Sequence, residues 1–171
     1  MLLAGCATQP AAPDLTEPPG AATRVEMVET IRAAGVASDD ELEVRPLREG
    51  AVEDLRERAQ ALQAQGDYPQ AAALLDEALE RHGADPTVLQ ERAEAAVLVG
   101  DFDAAERFSR RAIEIGTQVG PLCRRHWTLL EQVAQAQLAG ADAAESAGLQ
   151  SRVDAARRER EACTVAAPAR Y

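Results

Sequence analysis

The chain has 171 residues, 46% of them hydrophobic but only 3% aromatic, and all 18 of its basic residues are Arg. Its 37 Ala, with regular Leu, Glu, Gln and Arg, favour helices and exclude a sandwich or barrel core built on β-branched and aromatic side chains. A formal charge of −11 excludes nucleic acid as the main partner, because phosphate binding needs a basic surface.

The chain opens on Met1-Leu2-Leu3-Ala4-Gly5-Cys6, too short to span a bilayer or to form a complete signal peptide. Leu3-Ala4-Gly5-Cys6 resembles the bacterial lipobox, in which cleavage before the Cys exposes the thiol and amine that are acylated. The resemblance implies lipidation of Cys6. Because Ala7 rather than Asp follows, it also implies an outer-membrane anchor with the protein facing the periplasm. Two or more acyl chains hold stably, each buried methylene adding about 0.8 kcal/mol. The basic region and most of the apolar region of such a signal are missing, so the true start is expected upstream or the chain is trimmed.

Residues 7–50 read as a flexible linker, with Pro10, Pro13, Pro18 and Pro19 in a stretch without apolar periodicity. Within it, Val25, Val28 and Ile31 recur at helical spacing and predict a short amphipathic helix over 23–33, stopped by Gly35. Residues 39–48 are acidic and contain Pro46; they are expected to be loop with an extended piece at Leu42-Glu43-Val44. Fully unfolded, the linker would reach about 150 Å when taut and about 35 Å when relaxed.

From residue 51 the sequence repeats. A shift of 34 pairs Leu55 with Leu89, Glu57 with Glu91, Arg58 with Arg92, Ala59 with Ala93 and Ala61 with Ala95. The pairing continues through Gly66-Asp67 and Gly100-Asp101, Ala71 and Ala105, Ala78 and Ala112, and Glu80 and Glu114. Ten of the 26 positions from Leu55/Leu89 to Glu80/Glu114 are identical without a gap, more than an Ala-rich composition gives by chance. The period and the small residues at these places resemble the tetratricopeptide family. Each residue type has a physical reason. Gly66 and Gly100 supply a positive φ at the turn, Asp67 and Asp101 cap the next helix, and Tyr68 or Phe102 covers the turn. Ala59 with Ala71, and Ala93 with Ala105, remove bulk where two helices cross. Gly83 ends a helix, and Asp85-Pro86 starts another as N-cap and first residue.

The predicted fold is therefore all-α: a short solenoid over 51–165, with repeats at about 52–85 and 86–119 and a degenerate third hairpin at 121–160, then a tail at 166–171. In the third hairpin Pro121 opens a helix to about Ala139, with Cys123, Trp127, Leu130, Ala134 and Leu138 near helical spacing; Gly140 breaks it and Asp142 caps the next helix. Such a hairpin covers the last apolar face of a solenoid. Its antiparallel ends bring Cys123 and Cys163 near each other. In the periplasm that the lipobox implies, they would form a disulfide closing a loop of about 40 residues, worth roughly 4 kcal/mol; two buried reduced thiols are the alternative.

Chemistry is thin. His82 and His126 stand at no metal-ligand spacing, Cys123-x-x-His126 alone is very weak, and Trp127 at a helical core position reads as packing. No order of Ser, His and Asp, no phosphate-cradling glycine loop and no activated Cys pair points to catalysis, and neither metal nor cofactor is expected. The tetratricopeptide resemblance implies instead that exposed positions of the first helix of each hairpin line a groove for a partner. These are Glu53, Arg56, Gln60 and Gln63 in the first repeat, and Thr87, Gln90, Glu94, Val97 and Leu98 in the second. The set lacks the basic clamp with which some members capture C-terminal carboxylates. Arg110-Arg111 with Arg124-Arg125 form a second candidate surface, and residues 1–106 carry 8 Arg against 22 acids while 107–171 carry 10 against 7. Either surface reads equally as a solvated face. The layout resembles lipid-anchored tetratricopeptide activators of a class A penicillin-binding protein, so a non-enzymatic envelope adaptor is expected, with a membrane contact only through its lipid. The alternatives are a pilotin or assembly factor for a secretion or pilus machine, and, of a different class, a cell-wall-acting enzyme.

Overall fold

The computed structural model describes residues 21–37 and 50–164, and among the described residues there are seven helices and no strand. They are α1 (Ala21–Ala34), α2 (Gly50–Ala64), α3 (Tyr68–His82), α4 (Pro86–Val99), α5 (Phe102–Ile115), α6 (Gly120–Ala139) and α7 (Ala143–Ala162). Cys6, the Pro-rich stretch, the piece at Leu42–Val44 and the tail at 166–171 lie outside the described residues. The expected all-α solenoid is what the structure shows: α2/α3, α4/α5 and α6/α7 are hairpins, and α3 packs on α4 and α5 on α6 so that successive hairpins stack.

The local reasons are those of the repeat. Gly66 and Gly100 take φ of +81° and +95°, a region that costs other residues steric strain. The side chains of Asp67 and Asp101 then accept from the backbone N–H groups of Gln70 and Ala104. Asp85 accepts from two, those of Thr87 and Val88, ahead of Pro86. Ala59, Ala71, Ala78, Ala93, Ala105 and Ala112 are all buried, so backbones approach where larger side chains would hold them apart. Arg92 of α4 binds Asp76 of α3 at 2.7 Å and lies 4.7 Å over the ring of Phe108 of α5, tying adjacent hairpins together.

The third hairpin is longer than a repeat, as its sequence predicts, with 20 residues in each helix. The apolar spacing along α6 understates how enclosed that helix is. His126, Thr128, Leu129, Glu131 and Val133 are buried along with Cys123, Leu130 and Ala134, because α1, α4, α5 and α7 all pack on it. Cys123 and Cys163 are joined by a disulfide, and the Gly120 N–H donates to the Cys163 carbonyl at 2.8 Å, fixing the end of α7 to the start of α6.

The helix expected over 23–33 is present as α1, beginning at Ala21; the largest departure from the sequence reading is that it is packed on the repeats and its apolar side chains do not face water. Met27, Val28 and Ile31 are buried in one cluster with Ala93, Ala96 and Val97 of α4 and Leu129, Leu130 and Val133 of α6. An amphipathic stripe is stable only against another apolar surface, and the nearest one is the face of α4 and α6.

Candidate functional site

The first helices of the three hairpins share one side of the solenoid, its inner face, and α4 is the middle one. It presents an acid toward each neighbour. Toward α2, Glu91 accepts from Arg56 through both carboxylate oxygens, one bond at 2.7 Å from Nε and the other from Nη2, while Arg56 Nη1 reaches Glu53 at 2.6 Å. Hydrogen bonds to Glu91 come first among the influences holding the guanidinium of Arg56 in its charged form, ahead of the opposing effect of burial. Toward α6, Glu94 accepts from Arg125 at 2.5 Å and 2.7 Å. It also accepts from Arg32 of α1 at 2.9 Å and from Gln90 Nε2 at 2.9 Å.

Glu94 is fully buried. Burial pushes its pKa upward, but the charge and hydrogen bonds of Arg125, the charge of Arg32 and the hydrogen bond from Gln90 outweigh that and keep the carboxyl below its usual range. Burial likewise disfavours the charged form of Arg125, and Glu94 more than restores it. Beside this pair, Gln90 spends its amide N–H on Glu94, so its oxygen accepts from His126 Nδ1 at 2.6 Å, which fixes the proton of a neutral imidazole on Nδ1. Burial, then the charge of Arg125, pushes the His126 pKa down to about 4. Its Nε2 is buried and, among the described residues, has no hydrogen-bond partner.

α1 lies across the Glu94 side, antiparallel to α4. At its start Arg24 Nε donates to the Leu98 carbonyl at 3.1 Å. At its end Arg124 donates to the carbonyls of Ala34 at 3.2 Å and Val36 at 3.1 Å, where a helix leaves such groups unsatisfied and its dipole favours a cation. The fit is close: a Cβ on Gly100 would stand 3.1 Å from Arg24 Nη1, and one on Gly35 3.0 Å from Arg125 Cδ.

Between α1 and α2 the inner face stays open as a cleft of about 500 Å³. Val25, Val28 and Arg32 form one wall, Arg56, Gln60 and Gln63 the other, and Tyr68, Leu75 and Leu98 the apolar part. Arg32 Nη2 reaches across to Gln63 Oε1 at 2.5 Å. The cleft is thus apolar at its base and polar at its rim, with Arg56 and Arg125 already occupied by Glu91 and Glu94.

Of the residues expected to line a groove, Arg56, Gln60, Gln63 and Leu98 meet in this cleft. Gln90, Glu94 and Val97, expected to be exposed, are fully buried, and Leu98 nearly so, because α1 and α6 cover that side of α4; Arg56, also expected to be exposed, is buried against Glu91. Glu53 is half-buried beside Arg56 and Thr87 half-buried in the first turn of α4, both outside the cleft lining. The second candidate surface divides. Arg110 and Arg111 are exposed on α5 and pair with Glu106 and Glu114, whereas Arg124 and Arg125 turn inward to α1 and Glu94. Sequence reasoning missed Arg32, Val25 and Val28 as parts of the site; their helical spacing was visible, but nothing local says which surface receives a stripe.

Among the described residues no three His, Cys, Asp or Glu side chains are grouped to hold a metal, and no helix is long and apolar enough to cross a membrane. Residues 62–133, from the end of α2 well into α6, match the family model described as Tetratricopeptide repeat. This segment is thus similar to tetratricopeptide repeats, a scaffold that in general binds proteins. No curated protein and no solved structure matches the chain.

Proposed function

We propose that this protein is a non-enzymatic adaptor that holds a segment of a partner protein in the cleft between α1 and α2. The open cleft carries the reading: its base of Val28, Leu75 and Leu98 accepts apolar side chains, and Arg32, Gln60 and Gln63 at the rim bond the segment's backbone. The adaptor works in the envelope, tethered to the outer membrane through acylated Cys6 and facing the periplasm. The Leu3-Ala4-Gly5-Cys6 pattern supports the tether, and the Cys123–Cys163 bond supports an oxidising compartment. Its partner is a class A penicillin-binding protein, a reading supported by the layout of lipobox, spacer and short repeat domain.

Full-length protein fractionated with and without Cys6→Ser tests the tether, and a wild type that stays in the soluble fraction rejects it. Binding to the synthase and stimulation of glycan polymerisation test the partner. Ala64→Phe, which fills the cleft from an exposed wall position, is expected to abolish both while leaving the melting temperature unchanged. Undiminished binding by that variant removes the cleft from the account; no binding by the wild type removes the synthase.

A further inference from the structure

The cleft opens mainly on the α2 side of the inner face. The α6 side is taken by α1, and the way it is taken is unlike a permanent core. Only Met27, Val28 and Ile31 of α1 are buried, Ile31 fully, while Thr23, Glu26, Glu29, Thr30, Arg32 and Ala33 stay exposed. Those three side chains, with half-buried Val25 and the polar ties of Arg24, Arg32 and Arg124, must offset the ordering of a 14-residue helix. Beneath them the floor is partly ionic. A buried ion pair adds little to a permanently covered core, where apolar side chains of the same size do as well or better. It suits a surface that is alternately covered and wet.

The floor is also complete without α1. When Arg32 leaves, Glu94 keeps both bonds from Arg125 and the one from Gln90, and Gln90 keeps His126, so no buried charge is stranded. α1 in turn meets α4 with the features of a docked ligand. It is an amphipathic helix with apolar anchors at Val28 and Ile31, and a guanidinium on the edge of the stripe, at Arg32, that reaches an anion on the floor.

From this geometry we infer that the α4–α6 face is a second docking surface, that α1 is its resident occupant, and that a partner's amphipathic helix of the same pattern, with an Arg at the Arg32 place, displaces it. The charge selects the occupant: a helix with an acid at the Arg32 place would set a carboxylate against Glu94. The inference goes beyond the cleft: because α1 is also its Val25, Val28 and Arg32 wall, displacement removes that wall, and the test below reads α1 itself rather than any ligand of the cleft.

The test uses the full chain and, as probe, a labelled peptide of residues 21–37. In the wild type α1 competes at high effective concentration, so the peptide binds weakly. Ile31→Asp in the full chain unseats α1, and the peptide then binds at least about tenfold more tightly. Peptides carrying Ile31→Asp or Arg32→Glu lose that gain. Equal affinity for wild type and variant overturns the inference, as does failure to bind a variant whose helical signal is intact. Hydrogen exchange on the wild type provides a second test that does not depend on the variant's folding. The α1 amides are expected to exchange at least about a hundredfold faster than those of α4 and α6. Protection equal to that of α4 makes α1 part of the permanent core and contradicts the inference.

Discussion

On the α2 side of α4, Glu91 faces Arg56 at the edge of an open cleft; on the α6 side, Glu94 faces Arg125 beneath a helix. The two acids are three residues apart on one helix and each receives a two-pronged guanidinium from its neighbour. What separates them is the cover. α1 removes Glu94 from water and adds a third strong donor, whereas the Glu91 pair, also buried, lines the cleft and has no such helix over it. The same chemistry thus lies under a resident helix on one side and in the lining of the open cleft on the other.

Removing each acid separates the two sides most sharply. Glu94→Ala leaves Arg125 buried without its counter-ion and is expected to cost about 3–5 kcal/mol in urea unfolding. Glu91→Ala leaves buried Arg56 still bonded to Glu53 and is expected to cost less, about 3 kcal/mol. Equal losses would mean that α1 does not change the environment of Glu94.

The disulfide supports the covered side, since Cys123 precedes the two arginines that reach α1 and Glu94. Replacing Cys123 and Cys163 by Ser opens a loop with a sequence separation of 40 and is expected to cost about 4 kcal/mol by loop-closure entropy. A denaturation midpoint unchanged by reduction would detach that brace from the account.

Acid provides a weaker lever on the same side. The folded pKa of His126 lies near 4 and its ordinary value is 6.5, so between these the unfolded chain binds the proton and the folded one does not. Stability is then full above pH 6.5 and declines as pH falls to 4, by about 3 kcal/mol. Glu94, held below its ordinary value of 4.5, acts in the same sense. Its contribution is present above that value and is lost as pH falls through its folded pKa. His126→Gln should flatten the profile between pH 6.5 and 4, and a profile as steep as the wild type's would assign the titration elsewhere. The smallest effect calibrates the rest. Gly148→Ala on α7, where a Cβ meets nothing within 4 Å, should stabilise by about 1 kcal/mol through helix propensity alone.

The repeat half of this molecule was legible because its reasons are local. Gly66-Asp67 and Gly100-Asp101 state a turn and a cap within two residues, and a 34-residue period states that the hairpins stack. The covered half was not, because its reasons lie between distant elements. Arg32 and Glu94 are 62 residues apart, and nothing near either names the other. Val25, Val28 and Ile31 announced an amphipathic helix, yet a preceding Pro-rich stretch and an acidic run after it read as linker on both sides. The same blindness put Gln90, Glu94 and Val97 in an open groove: repeat register tells which residues face inward, and only the tertiary structure tells what else has settled there. Arg124 and Arg125 read as surface basicity for a similar reason, since their acceptors are backbone carbonyls and a carboxylate on other helices.

The central claim is that α1 is seated on α4 and α6 through Arg32 and Glu94. A double-mutant cycle with Arg32→Ala and Glu94→Gln, read by urea unfolding of the full chain, measures it. A coupling of about 1–2 kcal/mol between these residues is expected, and additivity within error would mean that α1 does not rest there.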